Sequence, residues 1–306
     1  MSDIFNGLGP VFAVIMLGYV IRRLAIVPDA FWPAAEHLTF YFFFPALLFV
    51  STATAGLAGP HLTAMAAAVI GGILAVVALV AALRLRMRLD GPTYTSAVQS
   101  AVRPNVYVAI ATATGLYGAE GLALMTLCIA LSVPLVNLIS VIVLVRYAAP
   151  AGRSTGVVPV VISVFRNPLI AACVLGVAVN ASGWALPTAL ESWLHILGRA
   201  SLAIGLLAVG AGLDPGAAIR SGTVVTVASV LKLLVLPLAI GMIGWALGVG
   251  GVALAILVLF GGLPVSASAY VMARQMGGNA PAMAAAITVT TVASALTMPA
   301  LLALVP

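Results

Sequence analysis

LTAMAAAVIGGILAVVALVAALRLRMR occupies residues 62–88. From Leu62 to Leu83 the stretch carries no charge, and its end holds Arg84, Arg86 and Arg88. About 20 apolar residues carry an α-helix across the hydrocarbon core of a bilayer. The run therefore reads as one membrane crossing, and the arginines mark its cytoplasmic end, because short basic links stay on that side. Gly121 to Val145, Gly250 to Ala273, and Gln275 to the end are equally free of charge. Over all 306 residues 63% are hydrophobic and 7% charged, with mean hydropathy +1.24. A soluble domain carries about 25% charged residues, so lipid must be the solvent here. Spanning β-strands alternate polar and apolar residues, which excludes a barrel and leaves an all-α polytopic membrane protein.

Working outward gives ten spans, at 4–21, 31–56, 62–83, 93–117, 120–145, 167–184, 188–213, 222–247, 251–275 and 280–304. Every link rich in arginine is odd-numbered. Arg22 and Arg23 follow span one, Arg84 to Arg88 span three, and Arg146, Arg153 and Arg166 lie between five and six; Arg220 follows seven and Arg274 ends nine. The links after spans two, four, six and eight carry no Lys or Arg. The positive-inside bias then puts both termini outside the cytoplasm of a bacterial inner membrane. The first run reads as a retained helix rather than a cleaved signal peptide, since no basic region precedes it. The net charge of +6 follows from these clusters and implies no nucleic acid.

The halves echo each other. Gly18 and Gly176 stand 158 residues apart, Pro104 and Pro264 160, Gly118 and Gly277 159. Five spans per half, an odd number, turn the second half upside down, and inverted repeats of this kind mark transporters. The expected division is 1–147 and 156–306, with 147–166 as the joining cytoplasmic loop.

Transporters hold substrate at the midplane, where broken helices of the repeats meet. Span four, TYTSAVQSAVRPNVYVAIATATGLYG (93–118), contains Pro104 beside Asn105, and Ser96, Gln99, Ser100 and Arg103 form a polar face ahead of it. Span nine, LFGGLPVSASAYVMAR (259–274), contains Gly261, Gly262 and Pro264, then Ser266 and Ser268. Proline removes a backbone donor and crowds the preceding turn, so both helices are expected to open. Arg103, Arg199 and Lys232 fall near mid-span, where charge is costly and usually functional. Glu36 and Glu191 sit about one turn from their helix ends, so cations without matching anions invite an anionic ligand. Arg199 and Lys232 also have structural readings: Arg199 reaches Glu191 through His195 at i, i+4 and i+8, and Lys232 snorkels to the membrane edge. The expected substrate site is Arg103, Pro104, Asn105, Tyr107, Asn137, Arg199, Gly262, Pro264, Ser266 and Ser268. Hydroxyls of span ten read as packing contacts, and Cys128 and Cys173 as small core residues. No phosphate loop, hydrolytic triad or metal-ligand spacing occurs, and His37, His61 and His195 are scattered, so neither catalysis, metal nor cofactor is expected.

LGYVIRRLAIVP (17–28), FYFFFPALLF (40–49), PNVYVAIATATGLYG (104–118), RNPLIAACVLG (166–176), LLAVGAGLD (206–214), LKLLVLPL (231–238), LPVSASAYVMARQMGG (263–278) and TTVASALTMP (290–299) recur here in order. Together they resemble the auxin efflux carrier family, which includes the plant PIN-type carriers and bacterial proteins taken as malonate and malate permeases. The resemblance covers essentially the whole chain. It implies ten helices in two inverted five-helix repeats with crossed, broken helices four and nine. It further implies a scaffold, often dimeric, over about 1–57 and 160–213, and a mobile core over about 58–147 and 220–306 that carries a small organic anion by an elevator movement. In the family the asparagine matching Asn105 lines the substrate site. Family members also carry a second proline about two turns later, where this chain has AIATAT (109–114). The alternatives are a sodium- or proton-coupled symporter of the bile-acid type and a non-transporting membrane sensor.

Overall fold

The computed structural model describes residues 2–54, 62–148, 168–220 and 222–305. His61, Arg153, Arg166 and nearly all of the expected joining loop lie outside the described residues. Every named element among the described residues is helical. Among the described residues six helices are long and apolar enough to cross a membrane: Phe31–Ala53, Leu62–Met87, Val106–Tyr147, Thr188–Ala211, Thr223–Ala246 and Ala280–Leu302. Two more, Ser2–Arg23 and Pro168–Ser182, fall at the first and sixth expected spans.

Small residues let these helices approach closely, as helix association in lipid requires. Ser2–Arg23 lies along Thr188–Ala211. A Cβ on Gly18 would overlap the Leu207 carbonyl, and one on Gly210 the Ile15 carbonyl. Arg22 ties the end of the same pair by donating to the Ala211 carbonyl at 2.6 Å. Phe31–Ala53 packs against Pro168–Ser182 and Thr188–Ala211; there Gly176 abuts Thr52, and Gly198 abuts Leu47. Elsewhere Gly72 leaves room for Ile240, and Gly261 rests on Pro237.

Two helices contain a π-turn, at Thr39–Phe43 and Leu231–Val235. Pro45 and Pro237 follow each by two residues. A proline cannot donate to the carbonyl four residues back and its ring crowds it. Widening the preceding turn to an i→i+5 pattern relieves that conflict without ending the helix.

Spans four and nine break instead. Gly91–Val102 opens on an Asp90 cap, whose Oδ1 accepts from the Thr93 N–H at 2.8 Å, and it ends at Arg103 in extended backbone, φ −80° and ψ 113°. The residue before a proline is driven out of helical geometry in this way. Asn105 then caps Val106–Tyr147, its Oδ1 accepting from Tyr107 at 3.1 Å and Val108 at 3.3 Å. Residues 109–114, where the family's second proline is missing, run as regular helix. Gly118, at φ 57° and ψ −141°, turns the chain between the fourth and fifth spans; a β-carbon there would be strained. Span nine stops at Gly251–Gly261 and resumes as Ser268–Met276. Gly277 closes that piece in the left-handed region at φ 83°, and Asn279 caps Ala280–Leu302.

Candidate functional site

The two breaks meet. The Asn105 N–H donates to the Pro264 carbonyl at 2.9 Å, and Pro104 and Val265 form an antiparallel bridge. Val265 N–H in turn donates to Thr290 Oγ1 at 3.1 Å. Backbone groups freed by each proline are thus satisfied by the opposite segment and by a hydroxyl of span ten. Unpaired polar backbone is not tolerated in an apolar interior, so the crossing exists because each break supplies what the other lacks.

Beside the crossing opens a cavity of about 660 Å³. Arg103, Pro104, Tyr107, Asn137, Ser266 and Ser268 line it. Arg103 reaches across both breaks: Nε donates to Ser268 Oγ at 3.2 Å, Nη2 to Asn137 Oδ1 at 2.9 Å, and Nη1 approaches Met272 Sδ at 3.6 Å. Ser266 and Ser268 hydroxyls lie 2.9 Å apart. All partners of the guanidinium are neutral, and none of the ion pairs among the described residues involves it. The Ser268–Met276 helix begins at this wall, which adds the positive end of its dipole.

Four of the ten expected residues stand apart from the lining. Asn105 is fully buried and spends its side-chain oxygen on the helix cap, while Nδ2 has no partner. Pro264 supports the crossing through its carbonyl. Gly262 is buried behind it, next to Leu301. Arg199 is exposed on the Thr188–Ala211 helix, away from the cavity. The expected polar face of span four also divides. Ser96 exchanges hydrogen bonds with the Asn279 backbone, Ser100 touches Met283, and Gln99 is buried with neither amide atom bonded; Arg103 alone turns to the cavity.

The opposite wall comes from the Phe31–Ala53 helix. Glu36, Phe40, Tyr41 and Phe44 line it, and the Phe44 ring lies 4.6 Å from that of Tyr107. Sequence reasoning missed these residues. In sequence Glu36 lies about one turn from a helix end, a position that does not tell which cavity it faces. The run FYFFF before Pro45 was the available signal: aromatics crowded around a disrupted turn mark a surface that packs against something planar.

A family model described as "Membrane transport protein" matches residues 3–302. No curated protein gives a significant match.

Proposed function

The chain belongs to that membrane transport family, the auxin efflux carrier family, and from this premise we propose that it is a secondary carrier of small organic anions. The observation that carries the reading is Arg103: a guanidinium lining a partly open cavity, held by two neutral polar side chains and, among the described residues, in no ion pair. A carboxylate entering there gains a charge-assisted contact that the protein itself leaves open. The aromatic and apolar groups around it face the carbon skeleton of such an acid.

In this reading the chain is two inverted five-helix repeats, 1–147 and 156–306, with both termini outside a bacterial inner membrane. Residues of about 1–57 and 160–213 form the scaffold of a homodimer embedded in lipid. The core of about 58–147 and 220–306 carries the anion in an elevator movement. The glycine-lined contact of Ser2–Arg23 with Thr188–Ala211 supports a rigid scaffold, and the crossing of spans four and nine supports a core that holds the substrate at its centre. Asn105 and Pro264 shape that site from behind its lining, and Arg199 and Gly262 have no contact in it.

The test is uptake of radiolabelled carboxylates into proteoliposomes. Hydrogen bonds to a charged partner contribute roughly 1.5–3 kcal/mol, so Arg103→Gln should weaken apparent affinity about tenfold to a hundredfold, and Arg103→Lys should retain part of it. Unchanged uptake in Arg103→Gln would remove the arginine from the site.

A further inference from the structure

The carrier reading gives the buried Lys232 no task. Lys232 is the only lysine in the sequence; the other twelve basic residues are arginines. The chain uses arginine wherever a permanent positive charge suffices, and arginine does not release its proton in a protein. Its one lysine stands at 0% exposure in the π-turn of Thr223–Ala246. Lysine is the basic residue whose charge state a buried setting can change.

Among the described residues Lys232 has no counter-charge. Nζ donates to the Gly261 carbonyl at 3.1 Å, and no other partner is found among the described residues. The elements packed against its helix are Leu62–Met87, Gly91–Val102, Gly251–Gly261 and Ala280–Leu302. Their titratable side chains are Tyr94 and, at the end of Leu62–Met87, Arg84 and Arg86; its own helix carries none besides Lys232. Arg103, just past Gly91–Val102, turns to the cavity. An ammonium has three donors, and one carbonyl uses one of them. Two buried polar groups are also unpartnered close by in the fold: the Gln99 amide at both atoms, on the helix packed against the lysine segment, and Ser229 Oγ, one turn before Lys232. An isolated, permanently charged ammonium in this setting would carry a large desolvation cost. A group that is charged in one stage of a cycle and neutral in another avoids it for part of that cycle.

We infer that Lys232 takes up and releases one proton in each transport cycle, so that anion movement is proton-coupled. The inference rests on the carrier reading above. Its Nζ holds the last residue of the first half of span nine, three residues before the Pro264 carbonyl that binds Asn105. Charging the amine therefore acts on the backbone that forms the crossing. The step is a proton transfer alone: the neutral amine takes a proton from hydronium on one side of the membrane, and the ammonium returns it to water on the other. One proton moving with a carboxylate cancels one unit of the charge moved against the membrane potential.

A single lysine makes the site directly observable. Full-length protein in nanodiscs, with a lysine-free tag and labelled with 15Nζ- and 13Cε-lysine, should give one side-chain amine signal. That signal should move between amine and ammonium positions across about pH 5–9, whereas an exposed lysine stays ammonium throughout that range. A signal fixed in either state would overturn the proposal. Proteoliposomes loaded with a pH-sensitive dye and given malonate supply the second readout. Wild type should acidify or alkalinise the lumen in step with malonate flux. Lys232→Arg, checked for folding by gel filtration, should lose the proton movement; stoichiometric proton movement in that variant would also overturn the proposal. A titrating lysine without malonate flux refutes the choice of anion or the carrier reading, and leaves the proton site standing.

Discussion

Asn105 and Pro264, 159 residues apart, are joined through the backbone at 2.9 Å. Asn105 performs two tasks there. Its N–H closes the crossing and its Oδ1 caps the Val106–Tyr147 helix, while Pro104 holds Arg103 in extended geometry.

Substitution tests this arrangement. Asn105→Ala removes the cap, at a cost of about 1 kcal/mol, and should lower both thermal stability in detergent and uptake. Asn105→Asp keeps a capping oxygen but sets a negative charge behind Arg103. It should lose carboxylate uptake and also unfold below the wild-type temperature, because the carboxylate is fully buried. Wild-type uptake in the Asp variant would mean that the anion does not bind at this crossing.

Cavity size is set by residues of Thr188–Ala211 and Phe31–Ala53. Gly205 lies against the Tyr107 ring, where an added Cβ would overlap ring carbons, and Phe44 stacks on that ring from the Phe31–Ala53 helix at 4.6 Å. Gly205→Val should force Tyr107 into the cavity. Uptake of aromatic carboxylates should fall more than uptake of the smallest aliphatic acids, as a competition series would reveal. Equal loss across the series would show that the ring does not limit substrate size.

The Ser2–Arg23 and Thr188–Ala211 pair gives a stability prediction with a different signature. Overfilling a tight contact costs typically 1–3 kcal/mol. Gly210→Ala places a methyl on the Ile15 carbonyl and should lower the unfolding midpoint clearly, with anion affinity in the surviving protein unchanged. Gly9, with open space around it, is the matched control, and Gly9→Ala should behave as wild type in both assays.

Composition decided the solvent and the class of element. With 7% charge and uninterrupted apolar runs, only helices that satisfy their own backbone could form. The two breaks were legible for the same local reason, since a proline acts on the turn immediately before it. Gly118 was legible only as a landmark of the repeat, and its turn after span four came from the structure. Periodicity could not distinguish a proline that breaks a helix from one that widens it. Pro45 and Pro237 sit in continuous helices with π-turns, because those segments have packed neighbours along their length and no opposite break to pair with. The site was readable only in part. Arg103, Tyr107, Asn137, Ser266 and Ser268 were named from spacing and do share a cavity. Arg199 shared their chemistry, yet the rotation of its helix leaves it exposed. Glu36 and the aromatic wall needed the tertiary structure, because which face of Phe31–Ala53 meets span four depends on how Gly176 and Gly198 let that helix settle against its neighbours. A side chain's identity is local, but whether it faces substrate depends on packing between helices distant in sequence.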